Sequence, residues 1–84
     1  MQVRLASPAQ KDLDRLPDKI AFRVAVLIKA LEANPFPPSS KKLQSWQKTY
    51  RARLGNYRVV YEVVMGGRLV EIQRVRHRKD VYRT

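Results

Sequence analysis

The 84-residue chain has no cysteine and one histidine, His77. The first absence excludes a disulfide framework and a thiolate metal site, and the second leaves no imidazole pair to hold structural zinc. Neither a metal nor a cofactor is expected. Long apolar runs are missing too. Nothing approaches the roughly 18 apolar residues of a membrane span, and MQVRLASPAQ at the start has no apolar signal segment. The expected address is the cytoplasm, without a membrane partner. Acid is scarce, with seven Asp/Glu against eighteen Lys/Arg and a formal net charge of +11. Residues 1–40 carry six basic and four acidic side chains, a net +2, whereas residues 41–84 carry twelve and three, a net +9. A one-sided cationic field of this kind concentrates polyanions, and nucleic acid is the commonest such partner.

The length allows one domain, residues 1–84, that buries about 60 to 65% of its unfolded surface. A hydrophobic content of 44% with regular periodicity argues against disorder. Gln2 to Leu5 alternates as a short strand. Ser7-Pro8-Ala9-Gln10 has the composition of a capped helix start, with Ser7 as the cap. Ala9, Leu13 and Leu16 then fall on one helical stripe, which Pro17 stops. Asp18 is positioned to cap a second helix, in which Ile20, Val24, Leu27, Ile28 and Leu31 repeat at the helical period until Asn34-Pro35. Residues 34–47, with Pro35, Pro37, Pro38 and Trp46, are expected to form a loop.

From Lys48 the period changes to two, with Tyr50, Ala52 and Leu54 opposing Arg51 and Arg53. Gly55-Asn56 turns the chain into Tyr57–Val64, and Gly66-Gly67 turns it into Leu69–Val75. Tyr57 and Tyr61 share a face with Val59 and Val63, which assigns them to the core or its edge. The expected fold class is α+β, a strand followed by a helical hairpin packed on one face of a small antiparallel sheet, with the other face exposed.

That exposed face carries the chemistry. Arg51 and Arg53 must project together. Arg58 follows across a tight turn, and Arg74, Arg76 and Arg78 extend the field. Guanidiniums held this close repel one another unless an anion lies between them, and phosphate fits their fork geometry. Lys48, Arg74, Arg76 and Lys79 are assigned to contacts with a nucleic-acid backbone. His77 and Tyr82, with Arg78 beside them, suit moving a proton near phosphate, because neighbouring cations favour the phenolate; the alternative is that Tyr82 caps the sheet edge and His77 is a surface residue.

The run Tyr50-Arg51-Ala52-Arg53-Leu54-Gly55-Asn56-Tyr57-Arg58-Val59-Val60-Tyr61-Glu62-Val63, followed by Val75-Arg76-His77-Arg78-Lys79-Asp80-Val81-Tyr82-Arg83, resembles the core signature of the RelE/ParE superfamily of type II toxins. The resemblance covers nearly the whole chain. It implies a RelE-like messenger RNA interferase that cleaves messages in the ribosomal A site and is silenced by a cognate antitoxin, as a hetero-oligomer. It also implies an active surface of Arg51, Arg53, Arg58, Arg78 and Tyr82. Arginines stand at 51 and 53 where lysines are usual. Because arginine stays charged, these two are assigned to phosphate binding rather than to proton transfer. On that reading Tyr82 takes the 2′-hydroxyl proton, Arg78 stabilises the leaving 5′-oxygen, and His77 is an alternative proton donor. A ParE-like inhibitor of DNA gyrase, acting by protein binding, is the alternative. A plain nucleic-acid-binding module comes third.

Overall fold

The computed structural model of the chain describes residues 1–43, 48–64, 66, 68–77 and 79. Trp46, Gly67, Arg78 and Tyr82, named above, lie outside the described residues. The elements are β1 (Gln2–Leu5), α1 (Ser7–Asp14), α2 (Asp18–Ala33), β2 (Ser40–Lys42), β3 (Thr49–Leu54), β4 (Tyr57–Val64) and β5 (Leu69–His77). They form one five-stranded sheet in the order β1-β5-β4-β3-β2. The meander β3-β4-β5 is antiparallel, as its two-residue period and its turns predict. The sheet as a whole is mixed, because β1 runs parallel to β5. A parallel neighbour needs a long crossover, and the helical hairpin supplies it.

Three local expectations are corrected. Ser7 is not the cap of α1; Ala6 is, with no side-chain bond, and Gln10 bonds Asp14 Oδ1 at 3.0 Å instead of reaching back to the helix start. Asp18 likewise does not cap α2, whose N-cap is Pro17, and α1 gives way at Arg15 before the proline is reached. The third is β2, which lies inside the segment read as loop and pairs antiparallel with β3 through Ser40↔Ala52, Lys41↔Arg51 and Lys42↔Tyr50. Ser-Lys-Lys has no apolar alternation to signal a strand. Its order comes from the unpaired edge that β3 presents.

The core joins Ala9, Val24, Leu27 and Leu31 of the helices to Ala52, Val59, Tyr61, Val63, Val70, Ile72 and Val75 of the sheet. Tyr61 is fully buried, and its hydroxyl donates to the Pro35 carbonyl at 2.8 Å, tying the segment after α2 to the sheet. Tyr50 stacks on it with ring centroids 5.8 Å apart.

One irregularity decides which side chains face outwards. Val60 pairs with Arg74, but Tyr61 pairs with Ile72, so Gln73 is an extra residue in β5. A bulge of this kind reverses the inside-outside alternation beyond it. Without it, core-facing Val70 and Ile72 would be followed inwards by Arg74 and Arg76. With it, Val75 is buried in the core, and Arg76 comes level with Arg58 on the face away from the helices.

Candidate functional site

Gly55, at a φ of +62°, turns β3 back into β4 in a backbone conformation that glycine adopts without strain. The turn sets the register Arg53↔Arg58, and the bulge sets Arg58↔Arg76. Three arginines therefore stand level across three adjacent strands on the open face. A second row follows, in which Lys41 of β2 opposes Arg51, Arg51 opposes Val60, and Val60 opposes Arg74. Pro38, Ser39, Ser40, Lys41, Arg51 and Arg53 line a cleft of about 290 Å³ beside these rows. Like charges placed opposite one another weaken a sheet. Their accumulation at one end of a face is therefore a cost to folding that an anion would relieve.

The strand carboxylates do not relieve it. Glu62 and Glu71 oppose each other at the far end of the face, four residues along β4 from Arg58, or ~13 Å at the rise of a strand. Glu71 is already engaged by Arg4, at 2.8 Å. The open face is polarised along its strands, with the arginines near the Gly55 turn and, at the other end, Glu62 beside the Arg4–Glu71 ion pair.

Arg58 is the unusual member of the row. It is only 5% exposed, whereas Arg53 beside it is exposed. One terminal nitrogen donates to the carbonyls of Gly55 at 3.2 Å and Tyr57 at 3.0 Å. Its Nε is buried with no hydrogen-bond partner among the described residues. A buried, charged donor without an acceptor is costly in a folded protein and rare. The backbone bonds hold this guanidinium in one orientation.

Arg74 is held differently. Its Nε and a terminal nitrogen donate to the two carboxylate oxygens of Asp12 at 2.8 and 3.2 Å, and the Val75 backbone N–H donates to Asp12 at 3.0 Å. β1 ends opposite Ile72, so the outer edge of β5 has no strand neighbour beyond that point, and the α1 carboxylate takes the place of a strand acceptor. Burial pushes the Asp12 carboxyl up. The bonds from Arg74 and Val75, with the charges of Arg74 and Arg76, outweigh burial and hold it below the usual carboxylate value. The same ion pair raises the Arg74 guanidinium.

The structure thus gathers Arg51, Arg53, Arg58 and Arg76 on one face. His77 is not in that group. It pairs with Tyr57, whose ring it meets edge-on at 5.3 Å, on the opposite side of β5 from Arg76. Lys48 is exposed just before β3, and Lys79 is exposed beyond β5. Two contributors escaped the sequence. Lys41 joins only because β2 pairs with β3, and Asp12 acts only because α1 lies along the exposed end of β5. The i, i+2 spacing of Arg74 and Arg76 gave a signal for the row, but not for which face it would occupy.

Among the described residues no helix is long and apolar enough to cross a membrane, and no group of three or more His, Asp or Glu side chains is placed to hold a metal ion. The family described as "ParE toxin of type II toxin-antitoxin system, parDE" matches residues 3–82. Toxin RelE3 of Methanocaldococcus jannaschii is 34% identical over 86 residues, covering 98% of this chain and 96% of that protein. Toxin RelG of Mycobacterium tuberculosis is 34% identical over 82 residues, covering 96% and 94%. Among solved structures, the archaeal RelE–RelB complex from Pyrococcus horikoshii superposes with a TM-score of 0.82 at 30% identity, covering 92% of this chain and 93% of that one. With matches that run nearly end to end and a fold that agrees, the chain belongs to the RelE/ParE superfamily of toxins of type II toxin–antitoxin systems.

Proposed function

We propose that this toxin is a ribosome-dependent endoribonuclease that cleaves translated messenger RNA without a metal, by attack of a 2′-hydroxyl on the adjacent phosphate. The observation that carries this reading is the level row Arg53–Arg58–Arg76, whose central guanidinium is held in one orientation by the Gly55 and Tyr57 carbonyls. Charge that grows on phosphate oxygens in the transition state is best stabilised by donors already in place. Arg58 and Arg53 are assigned to the scissile phosphate, with Arg51 beside them. Arg78 is proposed to stabilise the leaving 5′-oxygen, and Arg76, level with Arg58, to contact the RNA backbone. Tyr82 is proposed as the proton acceptor. His77, on the other side of β5, is not proposed to transfer a proton at this row.

None of the row arginines is a strong base. Positioning therefore carries much of the rate, and orientation contributes up to ~7 to 11 kcal/mol when reactants are held well. The ribosome supplies that orientation, so purified RNA should survive conditions in which translated messages are cut. Primer extension on messages with and without translation tests this, and equally rapid cutting of both would overturn the ribosome requirement.

The partner proposed for the free toxin is a cognate antitoxin, since several similar proteins were solved as RelB–RelE complexes. An acidic segment that folds as it binds suits a surface this basic. The family description naming ParE supports one other reading, inhibition of DNA gyrase by protein contact. Supercoiling by gyrase in the presence of the toxin separates the two, because only that reading calls for a block with messages left intact.

A further inference from the structure

The arginine row does not end at Arg76. Around the edge of β5, beyond the end of β1, lies a second cleft of about 320 Å³, lined by Asp12, Arg15, Tyr57, Arg74, Arg76 and His77 among others. It holds three guanidiniums and one carboxylate. That carboxylate is committed to Arg74 and the Val75 N–H, so Arg74 is held in position rather than free to sample rotamers. Arg15, the exposed C-cap residue of α1, completes the cationic lining. His77 Nδ1 accepts a long bond from the Lys79 N–H at 3.4 Å.

We propose that this edge cleft is a second phosphate site, which binds the RNA backbone phosphate next to the one held at the arginine row. The proposal rests on the nuclease reading for the identity of the polyanion. Three features favour a nucleic-acid backbone. Arg76 belongs to both the row and the cleft, so a strand that crosses the sheet perpendicular to β3, β4 and β5 passes from one to the other without leaving cationic contact. The alternative course along the strands leaves the arginines for Glu62 and the already paired Arg4 and Glu71, and so offers a phosphate backbone no free cation in that row among the described residues. Asp12 fixes Arg74 before the ligand arrives, which reduces the ordering cost of binding.

The test uses the full-length free protein and two single-stranded RNA probes blocked by 2′-O-methylation, a dinucleotide and a hexanucleotide. Arg15→Ala removes an exposed side chain outside the row. It should weaken hexanucleotide binding and lower the slope of log affinity against log salt by about 0.7, the loss of one single-strand phosphate contact. Dinucleotide binding should be unchanged. Lys29→Ala, on exposed α2, makes the same change in net charge and should alter neither. Equal effects of Arg15→Ala and Lys29→Ala, or an unchanged hexanucleotide slope in Arg15→Ala, would overturn the site. So would an Arg15→Ala variant that loses affinity for an acidic antitoxin peptide but not for RNA, because the cleft would then serve a protein partner. Failure of the nuclease reading shows separately, as translated messages left intact by the wild-type toxin.

Discussion

Replacing Arg58 with methionine should separate its contribution to folding from its contribution to chemistry. The change removes two hydrogen bonds from a charged donor to the Gly55 and Tyr57 carbonyls, worth ~1.5–3 kcal/mol each. Against that loss stand two gains. Cross-strand repulsion from Arg53 and Arg76 disappears, at ~0.2–1 kcal/mol per neighbour. The chain also no longer buries a guanidinium with an unpaired Nε, a penalty on the order of several kcal/mol. The terms nearly cancel, so stability from urea unfolding should change by no more than ~1 kcal/mol, equivalent to ~4–8 °C in a domain of this size. Cleavage of translated messages should behave otherwise. Removing a donor pre-placed on developing charge costs about 10²- to 10³-fold in rate. A near-native melting curve together with a rate loss of that size is the expected pair of results. A melting temperature lowered by more than about 10 °C would make Arg58 a structural residue, and a stable variant with wild-type cleavage would remove it from the phosphate site.

Four further outcomes are expected, the first three from the geometry of Asp12 and Tyr61 and the last from the proposed role of Tyr82. Asp12→Asn keeps an acceptor for the Val75 N–H and loses only the ion pair with the partly exposed Arg74, so it should cost less than ~1 kcal/mol, whereas Asp12→Ala leaves that N–H unpaired and should cost ~1–3 kcal/mol by denaturant titration. The Asp12 carboxyl is depressed in the folded protein, so its stabilisation is complete above the ordinary carboxylate pKa of about 4 and declines as pH falls through the lower folded value; Asp12→Asn should lack that part of the acid-induced loss. Tyr61→Phe removes the bond to the Pro35 carbonyl while the buried ring remains, and a loss of ~1 kcal/mol is expected, with no change at all pointing to a water that replaces the hydroxyl. Tyr82→Phe should slow cleavage ~10²- to 10⁴-fold while ribosome affinity is kept, and a variant that cleaves at full rate would rule out the tyrosine as proton acceptor.

Local rules read from the sequence account for most of the elements. The two helices, the stop at Asn34 and the strands on either side of Gly55 follow from apolar period, proline and glycine, because sterics within a few residues decide them. The pairing of Arg51 with Arg53 on one face needs only the two-residue pleat. Beyond those elements the decisive interactions join residues far apart in the chain. β2 has no pattern of its own and exists because β3 offers it a free edge. The parallel pairing of β1 with β5 depends on the helical crossover between them. Asp12 and Arg74, separated by 62 positions, meet because α1 lies along the part of β5 that β1 leaves uncovered. The bulge at Gln73 is the clearest instance. An uninterrupted alternation would turn Arg74 and Arg76 into the core and His77 outwards, but burial of Val75 against the helices costs less than burial of two guanidiniums, and the strand takes in one extra residue to achieve it. The sequence determined that a cationic meander would form, and the packing of that strand decided which of its side chains complete the site.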